Sequence, residues 1–294
     1  MKTNIQEIPL ILGRGIGQVM LQNNALSGLL MLIGICINSW QMGLLAIGGN
    51  CISTLTAYLA GYQKEDIRNG LYGFNGTLVG IAAGVFLKLS PESLLLTIIA
   101  CCLSTWIANI FSRQHKLPGF TTPFILAVWL LLGVCHLFAP ELLSAASSPV
   151  EESQSIHCFQ SLSLGIGQVM FQEHLLSGLF FLAGIGIHSR IAVFYTLFGA
   201  LLAFPAIFLP GVDTMLLNKG LLGYNGVLCA IALGNTNLKS LGWASLAVCL
   251  SIILQLLGLY AGLTTLTAPF VVAVWIILLM QQIPNKSDKA TNNR

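Results

Sequence analysis

Gln18, Gln168, Thr121 and Thr267 are neutral hydrogen-bonding side chains set in long apolar runs, and each pair occupies matching places in the two halves of the chain. A buried amide or hydroxyl must be paired or face water, and two symmetric Gln/Thr sets fit the second option. The threonines also stand two residues before Pro123 and Pro269, each of which opens an apolar run. Proline suits the first turn of a helix, which leaves two readings open for these hydroxyls, helix capping and pore lining. Leu78 and Leu228 follow Phe74 and Tyr224 by four residues, a helical spacing that puts leucine and aromatic on one face. They either pack a core or wall a narrow apolar slot. Acid–base chemistry has one candidate pair, Glu173 with His174, and its counterparts Asn23 and Asn24 are neutral. No Ser/His/Asp set, H-E-x-x-H or clustered metal ligands occur, so no enzyme activity, metal or cofactor is expected.

The elements that must position these residues are membrane spans. Charged residues are 8% of the 294, against roughly 25% in soluble domains, and mean hydropathy is +0.83. Asp, Glu, Lys and Arg are absent from 15–63, 69–87, 93–112, 191–212, 220–238 and 240–285. One span needs about 20 apolar residues, so the first and last runs could each hold two crossings. The region before Gly15 carries Lys2, Glu7 and Pro9 with no cleavage pattern, so no signal peptide is read there. Seven of the eight cysteines lie in apolar runs without a C-x-x-C pair, as expected for small packed hydrophobes. The net charge of +3 gives no reason to expect nucleic acid. Lys64, Arg68, Arg113, Lys116 and the Lys286, Lys289, Arg294 tail read as cytoplasmic anchors.

The chain is built twice. Gly15-Ile16-Gly17-Gln18-Val19-Met20 returns 150 residues later as Gly165-Ile166-Gly167-Gln168-Val169-Met170. Gly73-Phe74-Asn75-Gly76 returns as Gly223-Tyr224-Asn225-Gly226, and Thr121-Thr122-Pro123-Phe124 as Thr267-Ala268-Pro269-Phe270. Apolar pieces run at about 8–22, 25–38, 41–60, 71–87, 94–111 and 121–139, and the series repeats to about 282. The expected units are a first membrane repeat, 1–140, a linker, 141–161, a second repeat, 162–284, and a polar tail, 285–294. If one piece per half enters the membrane and returns, each half crosses five times and the second lies upside down. Gly73–Gly76 and Gly223–Gly226 are the candidate breaks, because Asn flanked by Gly is poor helix interior. Their alternative is an ordinary surface turn.

These duplicated motifs, with Leu117-Pro118-Gly119-Phe120-Thr121-Thr122-Pro123-Phe124 the most specific, resemble the urea transporter family, bacterial type. The resemblance implies an all-α polytopic membrane protein of two inverted repeats, each with five transmembrane helices and a re-entrant pore half-helix. It also implies a homotrimer with one pore per protomer and passive conduction of urea. On that likeness, Gln18 and Gln168 are acceptors at the two ends of the filter, and Thr121 and Thr267 flank its middle. Val19, Val169, Leu78 and Leu228 line it, while Phe74, Phe171, Tyr224 and the position of Leu21 form flat slots. Three residues depart from the family pattern: Leu21 replaces an aromatic, Tyr224 adds a hydroxyl that needs a partner, and Thr264 replaces a proline.

Urea is flat and uncharged, so oxygen acceptors at the pore edge can replace its water hydrogen bonds at little net cost. An ion would lose hydration without a counter-charge. The same fold could instead favour ammonia, a short amide or water. A membrane-embedded enzyme lacks visible machinery, and a purely structural protein leaves the buried glutamines unexplained. The partners expected are therefore urea and membrane lipid, and the location a bacterial inner membrane, multi-pass, with cytoplasmic termini.

Overall fold

The computed structural model describes residues 7–114, 116–144 and 155–282. The middle of the expected linker, with Pro149, Glu151 and Glu152, and the tail with Lys286, Lys289 and Arg294 lie outside the described residues, as does Lys2. The first half contains α1 (Ile8–Gln18), α2 (Ala25–Asn38), α3 (Trp40–Leu59), α4 (Lys64–Arg68), α5 (Gly73–Phe86), α6 (Pro91–Arg113) and α7 (Thr122–Phe138). The same order returns as α8 (Cys158–Gly167), α9 (Leu175–His188), α10 (Arg190–Leu201), α11 (Thr214–Asn218), α12 (Tyr224–Leu233), α13 (Leu238–Tyr260) and α14 (Ala268–Gln282). This is an all-α polytopic membrane protein. α3, α6, α13 and the segment Arg190–Phe208 are long and apolar enough to cross a bilayer. Trp40, Leu59, Leu95, Trp106, Leu238 and Leu257 are more than half exposed, as suits a lipid-facing surface.

The halves are related by a pseudo-two-fold axis. The Ser177 hydroxyl donates to the Gly34 carbonyl at 2.7 Å. In the reciprocal pair, a Cβ on Gly184 would lie 2.9 Å from the Ser27 carbonyl. Ser27 and Gly34 are the sequence counterparts of Ser177 and Gly184, so α2 and α9 run antiparallel and exchange equivalent contacts. The tryptophans repeat the exchange. Trp129 Nε1 donates to the Thr264 carbonyl at 2.7 Å, and Trp275 Nε1 donates to the Pro118 carbonyl at 2.8 Å. Two copies facing in opposite directions are the inverted-repeat arrangement.

The expected break at Gly73–Gly76 is corrected by the structure. Gly73 begins α5 and Asn75 sits in its first turn, and Tyr224 likewise begins α12. The sharp bend lies between α8 and α9, whose axes turn by 74°. Its cause is local backbone: Phe171 ends the helical run with φ +58°, and its counterpart Leu21 has φ +60°. A left-handed non-glycine residue costs on the order of 1 kcal/mol and redirects the chain. α5 and α12, of 14 and 10 residues, are about 21 and 15 Å long, short of the roughly 30 Å hydrocarbon core. The glycines of the motif serve packing instead. A Cβ on Gly49 of α3 would collide with the Gly76 carbonyl, and one on Gly199 would lie 2.5 Å from the Gly226 carbonyl. Small residues are what let membrane helices touch backbone to backbone.

Candidate functional site

The capping question for the two threonines resolves at the centre of the molecule. Thr121 precedes α7 but its hydroxyl makes no capping bond. The Phe124 N–H, which a cap would satisfy, donates instead to Asn75 Oδ1 at 3.1 Å, and the Phe270 N–H donates to Asn225 Oδ1 at 3.1 Å. A side chain from α5 thus caps α7, one from α12 caps α14, and each threonine hydroxyl is left free. Thr121 and Thr267 hydrogen-bond each other, Oγ1 to Oγ1, at 2.7 Å, across the two-fold axis. They are only 3% and 2% exposed, so a hydroxyl that lost its partner here could not turn to water.

On either side of this pair lies a cavity. One, of about 500 Å³, is lined by Gln18, Leu21, Phe74, Asn75, Ala108, Phe120 and neighbours. The other, of about 550 Å³, is lined by the counterparts Gln168, Phe171, Tyr224, Gln255 and Leu266, with Glu173 at its edge. The two share no lining residue. Phe120 and Thr121 are adjacent, as are Leu266 and Thr267, so the wall between the cavities runs through the threonine pair. Val19, Leu78, Val169 and Leu228 are buried and line neither cavity. The structure therefore gathers Gln18, Leu21 and Phe74 on one side and Gln168, Phe171 and Tyr224 on the other, with the threonines closing the middle.

The wall is aromatic and crosses between the halves. Phe120 packs edge-on against Phe270 at 5.1 Å, and Phe171 against Phe124 at 6.3 Å. Backbone strain concentrates here as well. Among the described residues, Leu21, Phe120, Phe171 and Leu266 are the positive-φ non-glycine residues, they form two repeat-related pairs, and all four line the cavities. Such strain persists where the surroundings fix a functional geometry.

The glutamines differ between halves. Gln18 donates through Nε2 to the Asn69 carbonyl at 3.0 Å, which turns its oxygen free as an acceptor. The backbone carbonyl of Lys219, the counterpart of Asn69, receives no such bond, and Gln168 Nε2 is buried without a partner among the described residues. The Tyr224 hydroxyl finds its partner, donating to the Leu266 carbonyl at 2.6 Å. Thr264 needs no proline's rigidity to accept from Trp129, because only its carbonyl is used. His174 is a helix cap: its Nδ1 accepts from the Leu176 N–H at 3.2 Å, as Asn24 Oδ1 accepts from the Leu26 N–H.

Asn75, Asn225 and Gln255 escape sequence reasoning. The asparagines lie inside a duplicated motif, which was the available signal, but their role depends on a backbone N–H more than 40 residues away.

A family model described as the urea transporter matches residues 10–282. Urea transporter 1 of sheep (Ovis aries) is 28% identical over 291 residues, covering 91% of this chain and 75% of that protein. Urea transporter 1 of rat (Rattus norvegicus) is 31% identical over 237 residues, covering 75% of this chain and 61% of that protein. With the match running from α1 to the end of α14, across both repeats and both cavities, the chain belongs to the urea transporter family.

Proposed function

We propose that this protein conducts urea passively through the axis between its two repeats. The observation that carries the reading is the buried Thr121–Thr267 hydroxyl pair between two cavities that present amides and aromatic rings. A neutral planar molecule with N–H donors can take over those hydroxyls one after the other, trading hydrogen bonds at small net cost. An ion would enter the same closure with no counter-charge, at a penalty of several kcal/mol. In this reading Gln18 and Gln168 receive the solute at either end. Leu21, Phe74, Phe171 and Tyr224 cover its faces, and Val19, Leu78, Val169 and Leu228 keep the middle dry. The shared family and the relatives' name support urea as the solute.

The finer assignments belong to the same proposal: repeats over 1–140 and 162–284, five crossings per half, a homotrimer in lipid, and a bacterial inner membrane with both termini cytoplasmic. Stopped-flow measurements on proteoliposomes test the solute. Urea permeability should rise well above that of empty vesicles and more than formamide or ammonia permeability. A rise for ammonia with urea unchanged would assign the pore to the other solute.

A further inference from the structure

The repeat acts as its own control, because the two cavities differ in polarity at three matching positions. Ala100, Cys102 and Ser104 of α6 match Ala247, Cys249 and Ser251 of α13, which sets Ala108 against Gln255. Likewise Phe74 and Gly119 stand where the second half has Tyr224 and Thr265. The second cavity is thus polar where the first is not. Gln255 Oε1 accepts from Thr265 Oγ1 at 2.7 Å and from Asn225 Nδ2 at 3.1 Å.

The direction of the Gln255 amide follows from this network. The Phe270 N–H needs an acceptor and takes Asn225 Oδ1, so Asn225 must turn its NH2 toward Gln255. Gln255 must then answer with oxygen. Its own NH2 bonds to nothing among the described residues, yet it is not among the fully buried unpaired atoms. It is the free end of a side chain that lines the second cavity. In the first half the same place holds Ala108, and Asn75 Nδ2 is left buried without a partner among the described residues. The other two glutamine donors are occupied or sealed: Gln18 Nε2 is held by the Asn69 carbonyl, and Gln168 Nε2 is fully buried.

We infer that Gln255 is a specificity-determining residue whose amide N–H binds the carbonyl oxygen of the solute in the second cavity. This rests on the reading of the protein as a urea channel. Urea carries one strong acceptor besides its N–H donors, and away from the two central hydroxyls a cavity that offers only acceptors leaves that oxygen unmatched. A donor on one side alone makes the second cavity the tighter station for carbonyl compounds. Thiourea, whose sulfur accepts hydrogen bonds weakly, should gain little there.

Two concentrations in proteoliposomes test the inference: the urea that half-saturates flux, and the thiourea that half-inhibits urea flux. Gln255→Met keeps the length and removes the donor. It should raise the urea value about threefold to tenfold, the size of one neutral hydrogen bond, and leave the thiourea value in place. Ala108→Gln, which supplies a partner for Asn75 and a new donor, should lower the urea value without moving that for thiourea. Equal shifts for both solutes would make Gln255 a mere brace for Asn225 and Thr265 and overturn the inference. Unchanged values in both variants would overturn it too. If wild-type vesicles pass no urea, the channel reading itself falls, a result distinct from either.

Discussion

Replacing both central hydroxyls, Thr121→Val with Thr267→Val, is expected to lower urea permeability about a hundredfold while the protein folds as well as wild type. The two readouts separate because of the 2.7 Å bond between the side chains. Valine matches threonine in shape, and removing both partners of a buried hydrogen bond together is close to neutral for stability. The solute, however, then meets no hydrogen-bonding group at the closure. Leaving polar groups unmatched costs about 1–3 kcal/mol each, and a tenfold change in rate corresponds to about 1.4 kcal/mol. Each single variant should lose about tenfold in flux and some thermal stability, since one hydroxyl remains buried and alone. Urea permeability in proteoliposomes and melting of the purified protein measure the two effects. Wild-type permeability in the double variant would mean that the pair only joins α7 to α14.

The second large effect is on folding. Gly49→Val should abolish recovery of monodisperse protein, whereas Gly48→Val, one residue away, should be purified normally. A Cβ at Gly49 meets the Gly76 carbonyl and the Gly80 N–H of α5, while one at Gly48 meets nothing within 4 Å. Overpacking against side chains typically costs 1–3 kcal/mol, and here the obstacle is a helix backbone with no rotamer to change. The consequence reaches the proposed pore, because α5 carries Phe74 and the Asn75 cap of α7. Size-exclusion profiles of the two variants decide the matter, and a folded Gly49→Val protein would show that α3 and α5 can separate.

Much of this architecture is legible in the residues. The piece expected at 25–38 is α2, Ala25–Asn38, and the piece expected at 41–60 is α3, Trp40–Leu59, because charge-free length and turn residues mark the ends of membrane helices. Repeated motifs reveal the two copies in the same way. The true bend escapes because it rests on Leu21 and Phe171 in the left-handed region, where no glycine marks the place. The Gly/Asn motif looks like a break but is spent on a backbone contact and a distant cap. Gln255 is hidden for another reason: comparing the halves highlights what they share, and Gln255 matters by replacing Ala108. The threonines read equally as caps or as pore lining in the sequence, because the residues that do the capping, Asn75 and Asn225, are remote from them along the chain.

Urea uptake into vesicles holding the purified protein, measured with and without imposed sodium and proton gradients, tests the passive channel most directly. A passive channel gives rapid equilibration at one rate under every gradient, ending at equal concentrations inside and out. Accumulation above the outside concentration when either ion gradient is applied would contradict it.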